Sequence, residues 1–179
     1  FFFLSKRTAT NTTPTPSQTQ TETQSNTTPT PSAGPATPPA GYVTITKQCY
    51  TFALFDPNTV PTDQACSFVD ATFGKKQTSK ISVETTTEAF KTIDEVMAVF
   101  KPTVTVVSEN KTTLDGFDAV QVVYKATDGL TYSKLFTLVV GKNYQQNGQA
   151  VTALALTTSY QEQFDVTVTG NVISTWRWQ

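Results

Sequence analysis

Hydrophobic and polar residues alternate along most of the chain from Tyr42 onward, with the period of two that is typical of β-strands. The alternation is densest over residues 103–140, where Asp115-Gly116 and Asp128-Gly129 separate three runs rich in Val, Thr, Tyr and Phe. Asp-Gly pairs adopt the left-handed backbone conformation that tight hairpins require. We therefore predict that residues 103–140 form an antiparallel meander onto which the rest of the domain packs.

Shorter runs on both sides of the meander predict further strands. Their shared features are β-branched or aromatic residues in alternation and flanking Gly, Pro or Asp residues. The predicted strands cover residues 42–46, 49–55, 66–73, 80–85 and 150–158. The polar sequence of residues 141–148, with glycine at both ends, predicts a loop.

One segment has the pattern of an amphipathic helix, namely residues 92–101. Thr92 and Glu95 have the spacing of a capping box, in which hydroxyl and carboxylate each accept a free backbone N–H. Pro102 ends the helix. The apolar residues recur at helical spacing and predict one buried face: Ile93, Val96, Met97 and Phe100. Asp94 and Glu95 fit the positive end of the helix dipole better than acid–base chemistry.

The C-terminal segment, residues 160–178, is consistent with two structures. As a helix it aligns apolar residues at every fourth position, namely Tyr160, Phe164, Val168, Val172 and Trp176. As a hairpin it turns at Gly170-Asn171, and its richness in β-branched residues favours this alternative. Its length and the acidic start at Glu162 favour a helix, and we predict one over residues 160–173.

The N-terminal part of the chain has a different composition. Residues 8–41 are dominated by Thr, Pro, Ser, Gln and Asn and contain no large apolar residue, so we predict a disordered linker. Residues 1–7 begin with Phe1-Phe2-Phe3-Leu4 and continue with Ser5-Lys6-Arg7, which favours the end of a membrane anchor over an accidental hydrophobic start. With an anchor, the linker is interpreted as a stalk; without one, it has no spacing role.

Composition limits the chemistry that the chain can perform. The chain has 179 residues, a formal net charge of −1, no histidine and two cysteines. A net charge close to zero gives no electrostatic reason to expect a nucleic acid partner. The absence of histidine removes the commonest general base and metal ligand, and two cysteines cannot build a structural zinc site. We predict no catalytic residues, no metal and no cofactor.

Two residue patterns that form catalytic or metal-binding sites in other proteins are poorly matched in this sequence. Ser79-Lys80 and Ser133-Lys134 are neighbours on predicted strands, so their side chains point to opposite faces and cannot form a Ser/Lys nucleophile pair. Asp56, Asn58, Asp63 and Asp70 cluster oxygen ligands around a loop, but the EF-hand pattern fails at Val60. A solvated loop explains these residues better than calcium.

Aromatic residues in the second half of the chain supply the candidate recognition surface. Tyr132, Tyr144, Trp176 and Trp178 are available for it, although core packing explains most aromatic residues in a domain of this size. We retain Tyr132, Tyr144 and Trp178 as the candidate surface. Trp178, beside the end of the sequence, is the best candidate for exposure.

Four motifs follow one another in an order that resembles the PsbP-like family. They are a strand over residues 50–55, the helix Thr-Ile-Asp-Glu-Val, the turn Leu-Asp-Gly-Phe-Asp-Ala from Leu114, and the ending Asn-Val-Ile-Ser-Thr-Trp-Arg-Trp from Asn171. The resemblance covers residues 42–178 and is strongest to bacterial members with an N-terminal anchor and a Thr/Pro stalk. The chain departs from that family at residues 55–60, where the Tyr-Pro-x-x-Trp signature is missing.

The resemblance implies an α+β domain over residues 42–179, in which helices cover an antiparallel sheet to form an α/β sandwich. It also implies a role in binding or assembly rather than catalysis, and it favours the C-terminal helix. We therefore expect an extracytoplasmic module, anchored to the cell membrane, that binds a protein, peptide or glycan at the cell surface. A structural surface protein and a carboxylate-based hydrolase are the alternatives.

Cys49 and Cys66 are the two cysteines of the chain, so one intramolecular pairing exists. Both begin predicted strands, and an extracytoplasmic domain lies where disulfides persist. The irregular loop between them can bring their Cα atoms to the ~5.5–6 Å separation that a disulfide requires. We predict a disulfide; the alternative is two small buried hydrophobic side chains.

Overall fold

The computed structural model describes residues 38–59, 62, 65–66, 68–76 and 78–179. The predicted membrane anchor, residues 1–7, lies outside the described residues, as does most of the predicted linker, residues 8–41. In the described part of the chain the order of strands and helices is β1 (Tyr42–Thr46), β2 (Tyr50–Phe55), β3 (Phe68–Phe73), β4 (Ser79–Thr86), α1 (Ile93–Phe100), β5 (Thr105–Leu114), β6 (Phe117–Lys125), β7 (Thr131–Leu138), β8 (Gln145–Gln146), β9 (Gln149–Ala150), β10 (Ala153–Ser159), α2 (Gln163–Thr175) and β11 (Arg177–Trp178).

A six-stranded antiparallel sheet is the largest element, with the strand order β3-β4-β10-β7-β6-β5. Strands β5, β6 and β7 form the predicted meander, which is confirmed. The meander is one half of this sheet rather than its centre, because β10 returns between β7 and β4. The strand β5 therefore forms one edge of the sheet and β3 forms the other.

A second, three-stranded antiparallel sheet has the order β1-β2-β11. The ending of the chain, predicted only as a motif, forms its third strand, with Arg177 opposite Thr51 and Trp178 opposite Tyr50. The prediction of a loop for residues 141–148 is wrong in part. Asn147 and Gly148 both have positive φ, 52° and 76°, and form a two-residue turn between β8 and β9.

The two faces of the six-stranded sheet are covered differently. On one face α1 packs over alternate residues such as Val122 and Phe136, and we name this the α1 face. On the other face α2 and the three-stranded sheet pack over Leu135 and Leu156, and we name this the α2 face. The predicted α+β class and the antiparallel sheet are confirmed. The α2 face holds the larger core, centred on Trp176, which stacks on Tyr50 with ring centroids 4.3 Å apart.

Both predicted helices are present. At α1, Thr92 Oγ1 accepts the Glu95 N–H at 3.3 Å, as predicted, but the Glu95 carboxylate accepts the N–H of Lys91 rather than that of Thr92. The helix α2 begins and ends slightly later than predicted. The hairpin alternative at Gly170 is wrong because Val168 and Val172, together with Trp176 at the helix end, are buried in the α2-face core.

The two Asp-Gly pairs differ. Asp115 and Gly116 have φ values of 46° and 86° and form the tight turn predicted between β5 and β6. Asp128-Gly129 was predicted as a second tight turn, and this is wrong: the pair lies in the longer loop of residues 126–130, where only Gly129 has a positive φ, 80°. Asp128 Oδ1 there accepts the Leu130 N–H at 2.8 Å.

Cys49 and Cys66 form a disulfide with their Cα atoms 5.2 Å apart, as predicted. Both side chains are buried in the α2-face core. The bond joins the start of β2 to the segment that leads into β3. It therefore links an element of the three-stranded sheet to the edge of the six-stranded sheet.

Candidate functional site

A groove of about 510 Å³ opens on the α2 face. Its walls come from the end of β2, the turn between β3 and β4, the β6–β7 loop and the N-terminus of α2. We name it the α2 groove, and its principal residues are Phe55, Phe73, Lys75, Lys76, Leu130 and Phe164. Grooves of this size are typical of small-ligand sites.

Three phenylalanine rings form the apolar part of the α2 groove. The Phe164 ring lies 5.6 Å from that of Phe55, nearly perpendicular to it, and 6.2 Å from that of Phe73. Phe164 is 39% exposed, although it lies in the first turn of α2, whose residues Val168 and Val172 are buried in the α2-face core. Gly74 allows this packing: its φ is 84°, and a Cβ there would lie 2.8 Å from the Phe164 ring.

A buried carboxylate fixes the polar end of the α2 groove. Asp165 is 3% exposed, and its Oδ2 accepts the backbone N–H groups of Gln161 at 2.9 Å and Glu162 at 3.3 Å. Its Oδ1 accepts the hydroxyl of Ser79, on β4. The Glu162 side chain in turn accepts the N–H of Asp165, which completes a capping box. Both carboxylates are therefore engaged in starting α2.

Lys75 and Lys76 form the basic wall of the α2 groove. They occupy the turn between β3 and β4, and both are exposed. The turn is held in place by the Gly74 N–H, which donates to the Asp56 carbonyl at 3.2 Å. Neither lysine forms an ion pair with any described residue.

A second, smaller groove of about 330 Å³ lies on the α1 face, between α1 and strands β4, β7 and β10. We name it the α1 groove. Its lysine, Lys134, forms an ion pair with Glu84 at 2.7 Å and lies 5.6 Å from the centroid of the Phe100 ring. Val99 at its rim is 62% exposed.

The structure separates the predicted recognition residues into two groups. Tyr144 and Trp178 lie together on the α2 face, with ring centroids 6.0 Å apart. Tyr144 is buried and Trp178 is only partly exposed; the Trp178 indole N–H donates to the Leu114 carbonyl at 3.0 Å. Tyr132 packs on the α1 face beside Tyr124. The three residues therefore do not share one surface.

The tyrosines of these groups are held in the neutral form. Burial, with a smaller contribution from the charge of Glu84, raises the pKa of Tyr124 to about 12. Burial also raises the pKa values of Tyr132 and Tyr144. Around neutral pH these phenols act as hydrogen-bond donors: the Tyr144 hydroxyl donates to the Gln179 carbonyl at 2.8 Å.

The serine and lysine neighbours have separate partners. Ser79 donates to Asp165 whereas the Lys80 side chain is exposed; Ser133 accepts from Gln121 whereas Lys134 pairs with Glu84. This agrees with the argument that neighbours on a strand point to opposite faces.

The oxygen cluster considered for calcium is described only in part. Asn58 Oδ1 accepts the Thr72 N–H at 3.2 Å, which is a role in loop structure. Asp63 lies outside the described residues, as does the side chain of Asp70. Among the described residues, no group of three or more His, Cys, Asp or Glu side chains is arranged to hold a metal ion.

Sequence reasoning did not find the α2 groove. Its residues come from four separated segments, and each was assigned a local role in a strand, turn or cap. The one available signal was Gly74-Lys75-Lys76, a turn with two adjacent lysines and no acidic neighbour on either side. Which aromatic residues would face that turn depends on the packing of α2, which no local pattern specifies.

Comparison with known proteins adds no identity. No protein-family model matches the chain, and no curated protein matches it. Within the described residues, neither helix has the length and apolar character needed to cross a bilayer.

Proposed function

We propose that residues 42–179 form a non-catalytic binding module and that the α2 groove is its binding site. The observation that carries this proposal is the open phenylalanine surface of the groove, with Phe164 39% exposed beside the partly buried Phe55 and the buried Phe73. An apolar surface held open beside polar groups is the usual form of a ligand site. The Asp165 and Glu162 carboxylates cap α2, which favours binding over carboxylate-based hydrolysis.

The proposed location is outside the cytoplasm, at the cell envelope, with residues 8–41 as a stalk and residues 1–7 as the end of a membrane anchor. The disulfide between Cys49 and Cys66 supports this location because disulfides persist in oxidising compartments. Membership of the PsbP-like family is part of the same proposal. The antiparallel sheet with a helix on each face is what that resemblance implies.

One observation favours a second candidate function, a structural role at the cell surface. The edge strand β5 has ten residues, most of them exposed, and pairs only with β6 among the described strands. A free edge offers backbone donors and acceptors to a further strand. If this role is correct, the molar mass of the full chain measured by light scattering should rise with concentration. A constant monomer mass would contradict it.

The binding proposal is tested by retention from native envelope extract. The immobilised full chain is compared with Phe164→Ala, which removes the exposed ring of the α2 groove, and with Val99→Ala, which removes an exposed apolar side chain from the α1 groove. We expect the retained species to be lost with Phe164→Ala and kept with Val99→Ala. Equal retention by all three proteins, with unchanged circular dichroism, would overturn the proposal.

A further inference from the structure

The α2 groove has two acidic and two basic side chains, and the two sets differ in their partners. Its two acidic side chains, Asp165 and Glu162, accept backbone N–H groups that begin α2, and the Asp165 carboxylate also accepts the Ser79 hydroxyl. Lys75 and Lys76 are without an ionic partner among the described residues. The groove therefore presents two exposed cations, neither of them in an ion pair with a described residue, beside an apolar floor.

The apolar floor is made largely of aromatic rings, which further limits the class of ligand that fits the groove. The rings of Phe55 and Phe73 both lie against that of Phe164, and Leu130, which is 45% exposed, lines the same groove. Aromatic rings pack well edge-to-face against such a set. A ligand that matches both parts carries a ring at one end and an anionic group at the other.

We propose that the α2 groove binds a small aryl carboxylate, with its ring on Phe164 and its carboxylate held by Lys75 and Lys76. This inference rests on the proposed function, because it uses the same groove. Ammonium groups bind carboxylates without demanding a planar geometry, so two lysines on one turn suit a small mobile anion. Ser159 and Gln161 line the same groove, where the Ser159 hydroxyl accepts the Lys80 N–H and the Gln161 side-chain amide donates to the Thr131 carbonyl.

The N-terminal sequence of this chain does not match the groove as an occupant. Phe1-Phe2-Phe3-Leu4 would supply apolar side chains, but the following residues, Lys6 and Arg7, are basic. They would lie against the basic wall formed by Lys75 and Lys76, and like charges repel. Charge complementarity thus favours an external anion.

The test is an NMR titration of the full isotope-labelled chain with three probes of one shape: phenylbutanoate, phenylbutanol and phenylbutylammonium. We expect phenylbutanoate to shift amides around Gly74 and Phe164, and to bind about tenfold more tightly than phenylbutanol at low ionic strength. Phenylbutylammonium should bind most weakly. The preference for the carboxylate should shrink as salt is added, since exposed charges are screened.

Two double variants with equal net charge distinguish the effect of the groove lysines on ligand binding from the effect of the protein's net charge. Lys75→Glu/Lys76→Glu should abolish the preference for the carboxylate, whereas Lys111→Glu/Lys125→Glu, at exposed lysines of β5 and β6, should keep it. Equal binding of all three probes, unaffected by the first double variant, would overturn this inference and leave the binding module intact. Failure of every probe to shift the groove amides would also overturn it, whereas the proposed function is judged by retention from envelope extract.

One further probe distinguishes the free acid from the end of a peptide. An acetylated tripeptide that ends in phenylalanine carries the same ring and carboxylate on a backbone. We expect it to bind no more tightly than phenylbutanoate. Binding about tenfold tighter than phenylbutanoate would overturn the assignment to a small acid in favour of a peptide C-terminus.

Discussion

The α1 face and the α2 face of the six-stranded sheet each carry a groove, but the two faces are built differently. The α2 face has a second sheet, a disulfide and a helix that begins on a buried carboxylate. The α1 face has one short helix, Ile93–Phe100, whose capping residue Thr92 is exposed. The larger groove, whose two lysines form no ion pair with any described residue, lies on the face with more cross-links.

This difference has a consequence for binding. A groove whose walls are fixed before the ligand arrives loses less conformational entropy when it binds. The walls of the α2 groove are fixed by backbone hydrogen bonds and by the cap of α2. The α1 groove contains an ion pair between Glu84 and Lys134. The contrast between the two faces can be measured.

Removing the disulfide should have the largest effect on the α2 face. Cys49→Ala/Cys66→Ala opens a link between residues 17 positions apart, and the chain-entropy estimate for a loop of this size is about 3 kcal/mol of unfolding free energy. Urea denaturation of the oxidised protein and the double variant measures the loss. A loss below about 1 kcal/mol would mean that the core of the α2 face does not depend on the bond.

The two helix caps give the next largest contrast. Asp165→Ala removes the acceptor of two backbone N–H groups and the Ser79 hydroxyl in a buried position, which we expect to cost about 2 kcal/mol. Thr92→Ala removes an exposed cap from α1 and should cost about 1 kcal/mol. Equal costs in urea denaturation would contradict the idea that the two helices are secured differently.

These comparisons also separate what the sequence could predict from what it could not. The longer strands, α1 and the Asp115-Gly116 turn follow from local patterns, because periodicity and turn chemistry act over a few residues. The second helix is favoured over a hairpin by its length, its acidic start and the family resemblance. The disulfide is predicted from the presence of two cysteines and the expected location. The return of β10 into the sheet between β7 and β4 does not, because it depends on which strands bury the most surface together. The role of Asp128-Gly129 was misjudged because one Asx contact, from Leu130 N–H to Asp128, suits a longer loop.

The candidate site was harder to predict than the fold. The choice of Tyr132, Tyr144 and Trp178 rested on residue type alone, and residue type does not specify a face. Tyr132 lies on β7 with its side chain on the α1 face. Trp178 packs on the α2 face as part of β11, a strand of two residues that is too short to recognise by pattern. The α2 groove requires the tertiary contact between Phe164 and Gly74, which are far apart in sequence.

Alkaline pH should weaken the contribution that Tyr124 of the α1 face makes to stability. The pKa of Tyr124 is about 12 in the folded protein, above its ordinary value of 10.0, chiefly because the phenol is buried. The folded protein therefore binds the phenol proton more tightly than the unfolded chain does. The resulting contribution to the free energy of unfolding is complete below pH 10 and is lost as the pH rises towards 12. The unfolding free energy of wild type, measured across this range, should fall relative to that of Tyr124→Phe as the pH rises, because phenylalanine has no proton to lose. A constant difference would contradict the assignment.

The smallest expected effect on stability concerns the ion pair of the α1 groove. Glu84 is exposed over 54% of its side chain, whereas Lys134 is exposed over 15%. Such a pair contributes about 0.2–1 kcal/mol, so Glu84→Gln should lower the free energy of unfolding by no more than that, and less at high salt. Urea denaturation at two salt concentrations measures the loss.

The same substitution tests why the two grooves differ in charge. Glu84→Gln leaves Lys134 beside the Phe100 and Phe136 rings without its carboxylate partner, which gives the α1 groove the combination of cation and apolar surface found in the α2 groove. Phenylbutanoate should then shift amides around Lys134 and Phe100, which it leaves unchanged in the wild type. Lys101 forms a similar pair with Glu109, and neither residue lines either groove, so Glu109→Gln is the matched control and should create no such binding. If Glu84→Gln leaves the α1 groove as unresponsive as the control does, an unpaired lysine beside aromatic rings is insufficient for anion binding. The selectivity of the α2 groove would then have to come from the fixed geometry of its walls.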